Sequence, residues 1–458
     1  MYIHLIGIGG KGMSGVAIIL HKQGFKIRGS DINQNSEHLI DVIKLGIDIK
    51  IGHSSENIDE NCSGIIYSTA INSDNPEIIK GQKLNIPIYH RSEMINKIIQ
   101  NKNSIAISGQ AGKTTTTSLI TCLLKNSNFD PSFINGGIIN EYDTQAELNN
   151  SDWFVIEADE SDCSFINIKA TICVITNIYN PDLYKDTISS EKLEKSFRCF
   201  IENLPQNGLA ILNGDDEKSN LILKKISHIK FITYGLNENC MIYATNIRYN
   251  KNGVIFDVTN KLTNKITMNI KIPMYGVHNV YNSLSIFAIA QHLNISEENV
   301  IKTLTDYKGV KHRFTKINCN YDITIIDDLA QTPVKLLSLI NSVKQFSNGK
   351  KFIINNTILF NRMIEECNTL FNDIDYIFLL NKTDDNKITS FKINESNKSY
   401  TEKLKIFNII EKNELVTLIN TLIKENDIII YNMSKLNLEW NYFCIEELKN
   451  LIKPMYIL

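Results

Sequence analysis

Apolar positions along this chain follow two rhythms that take turns. β-like runs at Tyr2–Ile6, Lys26–Arg28, Ile49–Ile51, Gly64–Ser68 and Ile86–Tyr89 alternate with stretches such as Met13–Gln23 and Glu37–Leu45, where apolar residues return at helical spacing. That alternation predicts a parallel α/β sheet with helical crossovers. The polar stretch from Gln100 to Ser104 closes the first block. A second block opens on the run Ser104–Ile107 and continues through strands at Trp153–Glu157 and Thr171–Thr176, a β-rich middle from Lys230 to Met274, and a helix from Asn279 to His292. Past Arg313 the alternation resumes at Asp322–Ile326, Lys351–Ile354, Tyr376–Leu380 and Asp427–Tyr431, with a polar, loop-like stretch from Asn381 to Lys403. Three α/β domains are expected, 1–103, 104–314 and 315–458, in line with a prior of one domain per roughly 150 residues.

Two glycine-rich loops sit at strand-to-helix junctions, Gly7-Ile-Gly-Gly-Lys-Gly-Met-Ser14 and Gly109-Gln-Ala-Gly-Lys-Thr-Thr115. In that setting backbone N–H groups and a helix N-terminus can hold an anion, so the chain is built for two phosphate-bearing ligands at once. The second loop is the sharper signal. Its glycines let the backbone fold round a phosphate, Lys113 supplies a point charge, and the Thr114 hydroxyl is placed to ligate Mg²⁺. Mg-ATP or Mg-GTP is the expected ligand. Further on, Glu157, Asp159, Glu160 and Asp162 end an apolar strand. Alone they would read as a solvated acidic turn; beside a phosphate loop they read as a metal ligand and its neighbours. The first loop, with Asp31 about twenty residues on, fits a dinucleotide fingerprint, and by itself it would take NAD as readily as a UDP-sugar.

Composition adds exclusions. A formal charge of -2 and a pI near 6.5 give no global attraction to nucleic acid or to an anionic membrane. No apolar run approaches the roughly 20 residues of a membrane span, so no membrane insertion is expected and a cytoplasmic location is the default. The 9 cysteines include no CxxC pair, which reads as reduced, buried thiols.

Taken together, these segments resemble the Mur ligase family, and within it the alanine-adding branch. The resemblance is carried by His4–Gly15 (HLIGIGGKGMSG), Ser68-Thr-Ala-Ile71, Gly109–Thr117, Glu157–Phe165, Phe197–Gly208, Gly276-Val-His-Asn279 with Asn282, and His312-Arg-Phe314. It implies Rossmann-like outer domains around a P-loop ATPase-like middle domain. It also implies an ATP-dependent amide ligase that joins L-alanine to UDP-N-acetylmuramate through an acyl phosphate, as a monomer or weak homodimer. Carried over by position, Gly109, Gly112, Lys113, Thr114 and Thr115 would hold ATP, with His278, Asn279 and Arg313 on the nucleotide. Thr114, Glu157 and Asp182 would hold Mg²⁺, and Gly9, Gly10, Ser14, Asp31 and Ser68 would surround the uridine diphosphate. Lys113, Glu157 and Arg313 would carry catalysis. Phe197, Phe200 and Leu204 read as core, while Asn279 with Asn282 could equally start a helix and His278 could be a turn histidine.

The chain departs from the family pattern at several places. Ala111 stands where a histidine is usual before the loop's last glycine, Asp182 replaces a metal-binding histidine, and His312 precedes Arg313 in place of an arginine. In the third domain Asp327-Asp-Leu-Ala-Gln-Thr-Pro333 lacks the pattern's tyrosine and both histidines. Thr357–Arg362 keeps only its last arginine, and Asn432–Lys435 replaces a Gly-Ala-Gly-Asp segment. Rival readings are a catalytically decayed homologue that still binds nucleotide, the related ligase that recycles cell-wall tripeptide, and an NAD oxidoreductase.

Overall fold

The computed structural model describes residues 1–178, 189–250, 252–317, 323–330, 332–345, 347–356, 373–380, 405–409 and 412–432, with Phe360, Met363 and Phe371. Its first sheet is formed by β1 (Tyr2–Ile6), β2 (Ile27–Asp31), β3 (Asp48–Ile51), β4 (Cys62–Tyr67) and β5 (Ile88–His90) in the order β3-β2-β1-β4-β5. Every neighbouring pair is parallel, so all strands end on one edge. The strand order reverses beside β1, which opens a crevice at that edge.

The second sheet holds β6 (Asn103–Ser108), β7 (Ser132–Ile139), β8 (Thr144–Glu147), β9 (Trp153–Glu157), β10 (Ile172–Ile175), β11 (Leu209–Asn213), β12 (Lys230–Gly235), β13 (Ile242–Asn250), β14 (Gly253–Asn260) and β15 (Lys265–Ile272). Its order is β15-β14-β13-β12-β11-β10-β6-β9-β7-β8. β6 lies parallel between β9 and β10, with Ile107 opposite Glu157 on one side and Val174 on the other. This register sets the phosphate loop after β6 beside the acidic turn after β9.

Apart from the tip of the β13–β14 pair, these two sheets belong to one compact unit, Met1–Arg248 with Val254–Pro273 and Val277–Val310. One apolar cluster runs through it, from Val16 and Ile19 on the helix Lys11–Lys22 to Ile134, Phe154, Phe165 and Phe197. Gly15 lets that helix approach β7, since a Cβ there would stand 2.7 Å from the Ile134 side chain. Phe197, Phe200 and Leu204 are buried in this core, and Phe165 packs its ring against Phe197 and Phe200 at 4.9 and 5.0 Å.

The second unit comprises Tyr249–Gly253, Met274–Gly276 and Lys311–Leu458. Its sheet is formed by β16 (Thr315–Ile317), β17 (Thr324–Asp327), β18 (Lys351–Asn356), β19 (Tyr376–Leu380), β20 (Lys405–Ile409) and β21 (Ile428–Asn432), ordered β16-β17-β21-β18-β19-β20. Only the β16–β17 pair is antiparallel among those described. Alternate residues feed two cores, Ile326, Ile353, Ile377 and Ile430 on one face and Ile325, Phe352, Phe378 and Ile429 on the other. Burial on both faces explains why these strands read as unbroken apolar runs.

Several elements differ from the sequence reading. β5 starts at Ile88 rather than Ile86, because Pro87 has no N–H to give and contributes only its carbonyl, to Ile65. His90 then caps the helix Arg91–Ile98, which the periodicity left unassigned. The helices Pro76–Lys83 and Glu297–Asp306 and the β7–β8 hairpin were also not anticipated. Cys62, Cys122, Cys163, Cys173 and Cys240 are buried free thiols and Cys199 is half-buried, as expected of reduced cysteines. The stretch Asn381–Lys403 lies outside the described residues.

The aromatic cluster yields a stability prediction. Phe197→Ala removes a fully buried ring and is expected to cost about 3–5 kcal/mol, with Phe197→Leu costing less. Urea unfolding followed by fluorescence measures this, and an unchanged midpoint for the alanine variant would refute the role given to this ring.

Candidate nucleotide and sugar-nucleotide sites

The first loop begins where β1 ends. Gly7 turns the chain at a φ of 72°, and Gly10 caps the helix Lys11–Lys22 without a side-chain acceptor. The N-terminal end of this helix therefore offers a positive dipole at the crevice of the first sheet. Asp31, at the end of β2, accepts hydrogen bonds from the Gly9 N–H at 2.8 Å and the Asn33 N–H at 2.8 Å. A Cβ on Gly9 would fall 2.9 Å from that carboxylate, so the residue at this position must be small. Ser14 is fully buried; it donates to the Gly10 carbonyl at 2.9 Å and accepts from Gln145 Nε2 at 2.7 Å. Ser68 follows β4, where its carbonyl accepts from the Ile71 N–H in a turn. The structure thus gathers Gly9, Gly10, Asp31 and Ser68 at the ends of three adjacent strands, while Asp31 and Ser14 also fasten the loop itself.

The second loop joins β6 to the helix Lys113–Asn126. Gly109 and Gly112 adopt φ values of 134° and 84°, which side chains rarely tolerate, and Gly112 is the helix cap. Lys113 Nζ donates to the Gly109 carbonyl at 2.7 Å and pairs with Glu160 Oε2 at 2.5 Å, where the glutamate is fully buried. Burial opposes the charge on Lys113, but Glu160, Glu157 and Asp159 outweigh it and raise its pKa above the ordinary lysine value. Asp159 moves the opposite way: burial disfavours its charge, yet Lys113 and Arg91 hold its carboxyl below the usual range.

Glu157 ends β9 and accepts the Gly136 N–H at 2.9 Å. Thr114 is buried in the first helical turn, beside Thr115. A hydroxyl and one carboxylate suit Mg²⁺, which keeps several waters and phosphate oxygens and needs few protein ligands. No group of three or more His, Cys, Asp and Glu arranged to hold a metal occurs among the described residues. Asp182 lies outside the described residues.

Asn279 and His278 open the helix Val277–Leu293, with Asn279 buried, His278 exposed, and the Asn279 Nδ2 3.1 Å from the His278 ring. Asn279 also accepts from Asn282 Nδ2 at 3.1 Å. Asn282 in turn accepts from Thr116 Oγ1 at 3.2 Å and sits where a Cβ on Gly112 would reach it at 2.5 Å. This joins the start of that helix to the phosphate loop.

Arg313 belongs to the second unit. Its neighbours His312 and Phe314 have positive φ, 58° and 49°, and both are anchored. His312 Nδ1 lies 2.5 Å from Asp327 Oδ2, and the Phe314 N–H donates to Asp328 at 2.8 Å. Burial pushes the Asp328 carboxyl up to about 6 despite the nearby Arg313.

Sequence reasoning assigned no role to Arg91, although it is one of the residues that tie the first block to the acidic turn. Arg91 pairs with Asp159 at 3.3 Å, and Thr69 donates to Asp162. Neither pairing has a sequence signal, because each joins residues more than sixty positions apart. Glu160 was visible only as one of four carboxylates, and nothing local marked it as the partner of Lys113.

Residues 2–103 match the model described as Mur ligase family, catalytic domain, and residues 107–290 match that of the Mur ligase middle domain. A UDP-N-acetylmuramate--L-alanine ligase of Paramagnetospirillum magneticum is 37% identical over 82% of this chain and 80% of its own. One of the same name from Bartonella bacilliformis is 34% identical over 96% of this chain and 94% of its own. The crystal structure of UDP-N-acetylmuramate-alanine ligase MurC from Thermotoga maritima superposes with a TM-score of 0.79 at 24% identity, covering 98% of this chain and 99% of that one. With family models across most of its first 290 residues and a relative aligned along nearly its whole length, this chain belongs to the Mur ligase family.

Proposed function

We propose that this chain joins L-alanine to UDP-N-acetylmuramate with conversion of ATP to ADP and phosphate. The carboxylate oxygen of the sugar nucleotide attacks the γ-phosphorus, ADP leaves, and the alanine nitrogen attacks the resulting acyl phosphate. Phosphate then departs and the nitrogen loses a proton. The observation that carries this reading is Lys113, held as a cation in the second loop between the Gly109 carbonyl and buried Glu160, one strand from Glu157. The names of the relatives support the choice of substrates.

In this reading residues 1–103 take the uridine diphosphate at Gly9, Gly10, Ser14, Asp31 and Ser68. Residues 104–314 take ATP at Gly109, Gly112, Lys113, Thr114 and Thr115, with His278, Asn279 and Arg313 on the nucleotide, and 315–458 serve the amino acid and closure. Thr114, Glu157 and Asp182 are the magnesium ligands. The ion, when bound, offsets charge on the phosphoryl oxygens during transfer. Lys113 steadies the outer phosphates and Glu157 fixes the metal's place at the strand end. No helix among the described residues is long and apolar enough to cross a membrane. The same reading takes the protein as cytoplasmic, acting on small molecules as a monomer or weak homodimer. The decayed-homologue reading draws no support from the comparisons, since the Bartonella relative aligns through the third segment as well.

Two experiments follow. Lys113→Ala should abolish alanine-dependent phosphate release. Because Glu160 then loses its lysine partner in a buried place, Lys113→Met with Glu160→Gln serves as the folded control. Turnover at the wild-type rate in that double variant would sink the assignment. For the metal, Asp182→Ala should raise the Mg²⁺ concentration needed for half-maximal rate by about tenfold, and a superimposable magnesium titration would remove Asp182 from the ligand set.

A further inference from the structure

The second phosphate loop is held from outside by the residues that follow β10. The Ala111 N–H donates to Asn177 Oδ1 at 3.1 Å, and Asn177 Nδ2 donates back to the Ala111 carbonyl at 2.9 Å. Thr176 Oγ1 donates to the same carbonyl at 2.6 Å, and the Gln110 N–H donates to the Asn177 carbonyl at 3.2 Å. Gly109 completes the fit, since a Cβ there would run into the Thr176 hydroxyl. The clamp is itself anchored. Asn213 Nδ2 donates to the Thr176 carbonyl at 3.1 Å, and the Ile178 N–H donates to Asp216 Oδ2 at 3.1 Å. The other oxygen of Asp216 caps the helix Glu217–Leu223 through the Ser219 N–H at 2.8 Å.

A glycine-rich loop is entropically costly to order, and its N–H groups serve a phosphate well only if they are arranged before it arrives. Ala111 has an exposed methyl and no polar side-chain atom, so its backbone groups are the handles by which this part of the loop is fixed. Asn177 engages both of them with one planar amide. We propose that Asn177 is a positioning residue for nucleotide use, pre-arranging the loop from Ala111 to Lys113 without touching the reacting atoms. This rests on the ligase reading above, in which ATP occupies the second loop.

A residue that only shapes the loop helps ground state and transition state alike, so its loss falls on KM for ATP rather than on kcat. Two hydrogen bonds of ordinary strength correspond to about a tenfold change in affinity. The test uses the full chain, with Mg-ADP and UDP-N-acetylmuramate titrated separately by calorimetry into wild type, Asn177→Ala and Asn177→Gln. For Asn177→Ala, Kd for Mg-ADP and KM for ATP should rise about tenfold together, with kcat within about threefold and the sugar-nucleotide Kd unchanged. Asn177→Gln, which keeps the amide, should recover part of the loss. An unchanged Mg-ADP Kd, or an equal loss for both ligands, would overturn the proposal. If Asn177→Ala does not fold, Asn177→Ser, which keeps one oxygen, carries the same comparison. Wild type that binds no Mg-ADP would refute the ligase reading and this proposal together; wild type that binds beside an unaffected variant refutes the proposal alone.

Discussion

A lysine paired with a fully buried carboxylate is the interaction on which the site depends. Removing two charges from water costs several kcal/mol per ion, and such a pair persists only where geometry returns that cost. Here the return comes from the sheet. β6 lies between β9 and β10, and the Ile107–Glu157 register puts the lysine loop and the acidic turn at the same end of neighbouring strands. Glu160 meets Lys113 at 2.5 Å, and Glu157 and Asp159 add to the field that keeps the ammonium charged. A shift of one residue in that register would turn Glu157 to the other face and leave the turn displaced from the loop.

The same acidic turn faces the first sheet. Asp159 pairs with Arg91, Asp162 accepts from Thr69, and Ser14 accepts from Gln145, and these are among the contacts that bind the first 100 residues to the second sheet inside one compact unit. One apolar cluster continues across both. The two anion loops are therefore parts of a single packed body. Charges that serve the second loop also fix the approach of the first, which is what a reaction between two anionic partners requires of its scaffold.

Much of this was legible in the chain, because strand-to-helix alternation and glycine spacing are local properties. The loops at Gly7–Ser14 and Gly109–Thr115, the strands β1 and β9, and the core residues Phe197 and Phe200 stand as read. What escaped was of two kinds. Elements without a clean period were missed, such as the helix Arg91–Ile98, which a histidine caps, and the β7–β8 hairpin, whose strand contains Gly136 and Gly137. Long-range pairings were missed as well. Nothing near Asn177 announces that its amide closes on Ala111, or that Arg91 answers Asp159, because chain separation carries no pattern.

Asp31 is built into the loop that precedes it. An acid about twenty residues past a glycine loop is the mark of a ribose contact in a dinucleotide site. In this structure its two oxygens accept the Gly9 and Asn33 amides, and Gly9 has no room for a Cβ beside it. Two backbone amides fix that carboxylate as part of the loop's own frame, with Ser36 Oγ donating to the Gly9 carbonyl at 2.7 Å from the next helix cap. An acid so held shapes the cradle at the entry to the helix that Gly10 begins. A helix N-terminus without a side-chain cap favours a diphosphate and is indifferent to what it carries. Just past the end of β4, on the other side of β1, Thr69 reaches the acidic turn through Asp162, so the frame of the first loop and the carboxylates of the second meet across one strand order.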